Sequence, residues 1–145
     1  MSLNRGHRRW ILLAVMITIM IGTGLGFLWK NSVSASGASN PERIAFLEKY
    51  GWEVEETPVV SGKVRIPYEF GDVYKNYNQI QRKQGFDLQP FAGKEVERYQ
   101  YIVKNYPNYS GKVYANLLIF EGEIIGGDIS SIKLDGFMHG IIEKS

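Results

Sequence analysis

The sequence predicts an α+β domain of about 105 residues carried behind one transmembrane helix. Three observations lead there. Residues 10–29 hold 20 positions without a charge. Two stretches with helical spacing of apolar residues follow, each stopped by a glycine. Beyond them come three strand-like stretches joined by two short turns. Two amphipathic helices need an apolar surface, and one face of that antiparallel meander is the large one on offer. The expected architecture is therefore two helices packed on one face of an antiparallel sheet.

The first element is WILLAVMITIMIGTGLGFLW, residues 10–29. At ~1.5 Å of rise per residue it covers ~30 Å, the thickness of a bilayer's hydrocarbon core. Trp10 and Trp29 close its ends, where amphipathic rings favour the membrane interface. Arg5, His7, Arg8 and Arg9 precede it and only Lys30 follows, so residues 1–9 are expected as a basic cytoplasmic tail with the domain outside. The competing reading is a secretory signal cleaved near Ala35. Signal cores usually span ~7–15 residues, which favours a retained single-pass anchor in the cell membrane. Gly22 and Gly26 have the GxxxG spacing that suits weak span-to-span association, although glycine is common in spans.

Charge and cysteine content narrow the classes. The chain carries a formal +2, yet Arg5, Arg8, Arg9 and Lys30 flank the span and leave 13 basic against 15 acidic residues beyond it. A nucleic-acid binder would carry a basic excess on its folded part, so no nucleic acid is expected as a partner. The chain has no cysteine, which excludes disulfides, thiol nucleophiles, thiolate metal sites and a lipid-bearing cysteine.

Residues 30–40, KNSVSASGASN, read as a flexible linker, and residues 41–145 as the extracytoplasmic domain. Asn40-Pro41-Glu42 starts a helix with a capping side chain, an early proline and an acid in the first turn. Ile44, Leu47 and Tyr50 share its face, with Phe46 beside them. Gly51 ends it, and Trp52 is placed to fold back onto the core. Residues 52–55 alternate like a short strand and residues 59–66 like a second, around Ser61-Gly62. From Tyr68 to Gln84, the spacing of Phe70, Val73, Tyr77, Ile80 and Gln84 marks a second helix, stopped by Gly85 and followed by Phe86. Residues 87–94 form a loop. Residues 95–105, 112–120 and 123–133 are the meander, the middle one being the most apolar and so central. Glu121-Gly122 makes the tight second turn, and its flanking acids Glu121 and Glu123 are expected in solvent.

Taken together, Phe46-Leu47, Tyr50-Gly51-Trp52-Glu53-Val54, Tyr77-Asn78, Gln84-Gly85-Phe86-Asp87-Leu88, Asn116-Leu117-Leu118, Gly126-Gly127-Asp128 and the run from Leu134 to Gly140 resemble the DUF4830 family. That family comprises small bacterial domains of unknown function, mainly from Firmicutes and often behind one N-terminal span. The resemblance runs from about Arg43 to Gly140. It implies a cell-envelope setting and brings no catalytic residues. In outline only, a helix followed by an antiparallel meander also looks like PepSY and cystatin-like shapes, and outline does not fix function.

Chemistry is thinly signalled. Asp128, Ser130, Ser131, Asp135 and His139 form the densest polar cluster, and His139 is the only histidine beyond the membrane flank. A hydrolase would use His139 with Asp135 or Asp128 and with Ser130 or Ser131. The strained GxSxG turn of such enzymes is missing, and both serines fall in a strand pattern. The same acids and His139 are too few and too spread for zinc, and no contiguous oxygen-rich loop suits calcium. No catalytic residue, metal or cofactor is therefore expected. Nine tyrosines lie beyond the anchor, where half-buried sheet positions suit them. Tyr106 and Tyr109, at the 107–111 turn, are the expected exposed pair. Tyr106, Tyr109, Asp128, Asp135 and His139 are thus the candidate binding residues. The expected role is a non-catalytic module of the bacterial envelope that binds an envelope protein or wall polymer. The small hydrolase and a PepSY-like regulator of an envelope enzyme are the alternatives.

Overall fold

A computed structural model describes residues 34–142. The span of residues 10–29, its basic flank and Gly22 and Gly26 lie outside the described residues. No helix within them is long and apolar enough to cross a membrane.

The chain runs α1 (Asn40–Lys49), β1 (Val60–Arg65), α2 (Asp72–Lys83), a 3-10 turn (Gln89–Phe91), β2 (Glu95–Val103), β3 (Val113–Phe120), β4 (Glu123–Ser130) and β5 (Met138–His139). The five strands form one antiparallel sheet in sequence order, so β3 is central as its composition predicts. A register shift at Leu118/Ile119 marks a bulge between β3 and β4. Glu121 and Gly122, both at positive φ, make the two-residue turn between them.

Both helices end in the same way. After α1, Gly51 takes φ 86°, its N–H donates to Glu48 O and the N–H of Trp52 reaches Leu47 O. After α2, Gly85 takes φ 89°, its N–H donates to Arg82 O and that of Phe86 reaches Gln81 O. These paired bonds define the Schellman motif, which needs a left-handed residue just past the helix. The aromatic residue after each glycine turns inward, and Trp52 and Phe86 are both buried. Each contributes about 1.5–3 kcal/mol through that burial.

The sheet's two faces carry two separate cores. Tyr101, Val103, Val113, Ala115, Leu117, Ile119, Ile124 and Ile129 pack with Phe46 and Leu47 of α1, Trp52, Phe86 and Ile141. The alternate positions Val96, Leu118 and Ile125 pack with Ile66 and Leu88 and with Tyr74 and Tyr77 of α2. Two helices do pack with the sheet, but on opposite faces. The single-face expectation fails because β3 is apolar at successive positions, so both of its faces need cover.

Local differences have equally physical causes. Ser39, not Asn40, caps α1, through a reciprocal capping box with Glu42. Asn40 instead accepts from Tyr101 Oη at 2.7 Å. Residues 52–55 contribute one bridge, Val54 to Val103, rather than a strand. The helix expected from Tyr68 starts at Asp72, and Val73 is 86% exposed. Its inward side is Tyr74, Tyr77, Asn78 and Gln81, which swaps an apolar stripe for amides. Residues 34–39 of the expected linker are docked on the domain. Ser36 bridges Glu123, Ile124 N donates to Ala35 O, and Gly37 N donates to Gly122 O. Buried Arg43 clamps that segment by donating from Nη1 to Gly37 O at 2.7 Å and Ala38 O at 3.1 Å. Its Nε donates to Tyr101 Oη, and its guanidinium lies 3.6 Å from the Tyr99 ring centroid.

Candidate functional site

The polar cluster read from the sequence divides between the two faces of the sheet. β5 pairs His139 with Ile129, which places His139 on the α1 side. There it joins Trp52, Tyr106, Tyr109 and Phe137. Tyr106 stacks between Trp52 (5.8 Å, 9° between planes) and Phe137 (4.7 Å, 19°). His139 stacks on Phe137 at 5.8 Å. Its Nδ1 lies 2.8 Å from Gly140 O, which can only accept, so Nδ1 carries the proton of the neutral ring. Nε2 then accepts from Tyr106 Oη at 3.0 Å. Next to this pair, Tyr109 Oη lies 2.9 Å from Ser131 Oγ.

Asp128 lies on the other face, because β3 pairs it with Asn116 and Asn116 in turn faces Gln100 of β2. The cross-strand register makes a polar row. Gln100 Nε2 donates to Asn116 Oδ1 at 2.9 Å, and Asn116 Nδ2 donates to Asp128 Oδ1 at 2.9 Å. Asn116 Nδ2 also reaches Ser130 Oγ, while Arg98 Nη2 donates to Asn116 Oδ1. Tyr77 Oη comes from α2 to donate to Asp128 Oδ2 at 3.0 Å. Burial pushes the Asp128 carboxyl above its ordinary value, against the pull of Asn116, Ser130, Tyr77 and the Arg98 charge. Burial and the neighbouring Asp128 together push the Tyr77 hydroxyl well above the usual phenol range.

The structure therefore joins Tyr106 with His139 and Tyr109 with Ser131, and separately joins Asp128 with Ser130 through Asn116. It does not bring His139 to a carboxylate or a serine hydroxyl: its ring nitrogens face Tyr106 and Gly140. Asp135 is exposed in the 131–137 loop. Tyr106 and Tyr109, expected as an exposed pair, are half-buried because their rings fill the space between Trp52 and Phe137. Among the described residues no three His, Asp or Glu side chains are grouped to hold a metal ion. Each assembly can fix a shape and a hydrogen-bond pattern. Ser130 bonds to the Asp128 carboxyl, and His139 is joined to neither.

Sequence reasoning missed Tyr77, Arg98, Gln100 and Asn116 as partners of Asp128. The available signal was a polar residue inside the apolar stretch of each of two strands, Asn116 in VYANLLIF and Asp128 in EIIGGDIS. Buried polar groups require partners, and adjacent strands supply them. It also missed Gln81 and Gln84, which are buried at the β4 edge. Gln81 Oε1 accepts from Gly127 N, Gln84 Nε2 donates to Gly127 O, and Gln84 Oε1 accepts from Ile141 N.

Fold and site together define a small α+β domain whose sheet is covered on both faces and tied by internal polar rows. The chain belongs to the DUF4830 family, a domain of unknown function, whose family model matches residues 46–129. No curated protein matches it, and no solved structure does.

Proposed function

We propose that the chain is a membrane-tethered, outward-facing module of the bacterial cell envelope that binds a partner, a protein or wall polymer, without catalysing a reaction. The charge asymmetry around residues 10–29 supports the tether and its direction. The observation that carries the binding role is a set of three exposed apolar side chains in the segment after β4. Ile132 is 78% exposed, Leu134 fully exposed and Met138 49% exposed, all within seven residues. Clustered exposed apolar side chains mark interaction surfaces more often than scattered ones do. The candidate polar groups other than the exposed Asp135 meanwhile are engaged in hydrogen bonds within the domain.

The cysteine-free sequence makes a clean test. A Val73→Cys chain, with its thiol at an exposed helix position, should react with a membrane-impermeant maleimide on intact cells. Labelling only after lysis would reverse the topology. A photo-crosslinking residue at position 134 should give an adduct in intact cells that the same residue at position 73 does not. Equal or absent adducts at both positions would remove the binding surface from the 132–138 segment.

A further inference from the structure

A five-stranded sheet has two edges, and this chain treats them differently. The β4 edge is covered along its length. Ala35 and Gly37 bond to Ile124 and Gly122, the amides of Gln81 and Gln84 hold both backbone groups of Gly127, and β5 pairs with Ile129 and Ser130. The other edge is β1, which among the described residues pairs with β2 alone. Five of its six residues are exposed and the sixth is half-buried. Pro58 and Pro67 bracket it, so the open stretch is one short strand long, roughly 20 Å.

The side chains of this edge state what would fit it. Val60, Gly62 and Val64 point to one face and Ser61, Lys63 and Arg65 to the other. On the inner side, Lys63-Val64-Arg65 already meets a complement, Glu97-Val96-Glu95 of β2, with Lys63 Nζ 3.0 Å from Glu95. A strand added on the outer side meets the same pattern of cation, valine, cation. Nothing lies within 4 Å of the position a Cβ would take on Gly62, which leaves room for a neighbour's side chain. A second copy of β1 would set Lys63 and Arg65 near their own equivalents, and like charges across strands repel.

We propose that β1 is a docking edge for an extended acidic segment of a partner protein, which adds as a sixth strand. Its acidic residues face Lys63 and Arg65, and β-branched apolar residues alternate with them beside Val60 and Val64. Backbone ladder bonds supply the attachment and the side-chain alternation the selectivity.

The test uses the full chain in lipid nanodiscs and a blocked synthetic peptide Glu-Val-Glu-Val-Glu, with Lys-Val-Lys-Val-Lys as its charge-reversed partner. The acidic peptide should bind saturably and slow amide exchange within residues 60–65. Lys63→Glu combined with Arg65→Glu should weaken it at least tenfold and let the basic peptide bind instead, with a lowered unfolding midpoint because the new acids face Glu97 and Glu95. Lys63→Gln combined with Arg65→Gln, which adds no like charge, should also weaken the acidic peptide. An acidic peptide N-methylated at alternate positions should fail to bind if ladder bonds hold it. Equal binding of both peptides, protection elsewhere on the chain, or retained binding of the N-methylated peptide would overturn the proposal. So would no saturable binding, or concentration-dependent protection of residues 60–65 without peptide, which would assign the edge to a second copy.

Discussion

Replacing Gln84 with alanine should unfold a large share of this domain's stability, although Gln84 touches neither polar cluster. Its side-chain amide acts as one rung of a missing strand. Nε2 donates to Gly127 O at 3.0 Å, and Oε1 accepts from Ile141 N at 2.6 Å and from Ile142 N at 3.3 Å. Gln84, Gly127 and Ile141 are all buried. Truncation leaves a carbonyl and two N–H groups without this partner, that of Ile142 half-buried, and each buried one costs about 1–3 kcal/mol when stranded. Allowing for water entering the space, the loss comes to about 3–4 kcal/mol, a large fraction of the 5–15 kcal/mol typical of a domain. At about 4–6 °C per kcal/mol, Tm should fall by roughly 12–24 °C. Urea titration measures the first quantity and calorimetry the second, and exchange of the Gly127 and Ile141 amides should accelerate together. Gln84→Glu separates the two ends of the rung. It keeps an acceptor for Ile141 but sets a carboxylate oxygen against Gly127 O, so it should recover partly on acidification, when the protonated acid can donate. A Gln84→Ala domain within about 1 kcal/mol of wild type would show that these bonds are replaced by water at no cost, and the edge-sealing argument would fail.

Four further outcomes are expected. Arg43→Met should cost about 2–4 kcal/mol, because it removes charge-assisted bonds to Tyr101, Gly37 and Ala38, and limited proteolysis should then cut within residues 34–39 far faster than in wild type. Gly127→Ala should cost about 2–3 kcal/mol by overpacking, since its Cβ would meet Asn116 O and sit 2.6 Å from Ile141 Cδ1; the urea midpoint reports it. Asp128→Asn should change the pH profile. The folded carboxyl holds its proton to higher pH than the unfolded one, so Asp128 removes stability as pH rises from the ordinary aspartate value through its raised one. The variant minus wild-type difference should therefore rise across that window and level off above it. Glu42 has the opposite sign: a hydrogen bond from Ser36 leads in lowering its carboxyl, so its contribution is present above the ordinary value and lost on acidification. A difference that falls or stays flat with rising pH would refute the Asp128 assignment.

What could be read from the sequence follows the range of each signal. The C-terminal ends of the helices are legible because they depend on neighbours in the chain: Gly51-Trp52 and Gly85-Phe86 state their Schellman caps within a few residues. The meander was legible for the same reason, through alternation in β2 and the Glu121-Gly122 turn. The side of the sheet each helix covers was not, since that depends on which strands need cover on both faces. The α2 face was misread at Val73 because its inward residues are amides, and hydropathy does not register an amide whose bonds are met by a distant strand edge. The candidate site failed similarly. Asp128, Ser130 and His139 are close in sequence, but alternation and the 131–137 loop send Asp128 and His139 to opposite faces. Asp128 gains Tyr77 from 51 positions away.

The docked segment at residues 34–39 bears on the order in which the molecule assembles. Its bond from Ser34 Oγ to Glu123 joins positions 89 apart, as does that from Trp52 Nε1 to Ile141 O. Closing loops of that length costs entropy before it returns any contact, whereas the β2–β3–β4 hairpins close over short turns. The meander is thus the natural early structure, and the segments that cross its finished edge arrive late. Amides of residues 35 and 37 should open at lower free energy than those of β3, so the first part of the domain to detach under load or denaturant is the end nearest the proposed anchor.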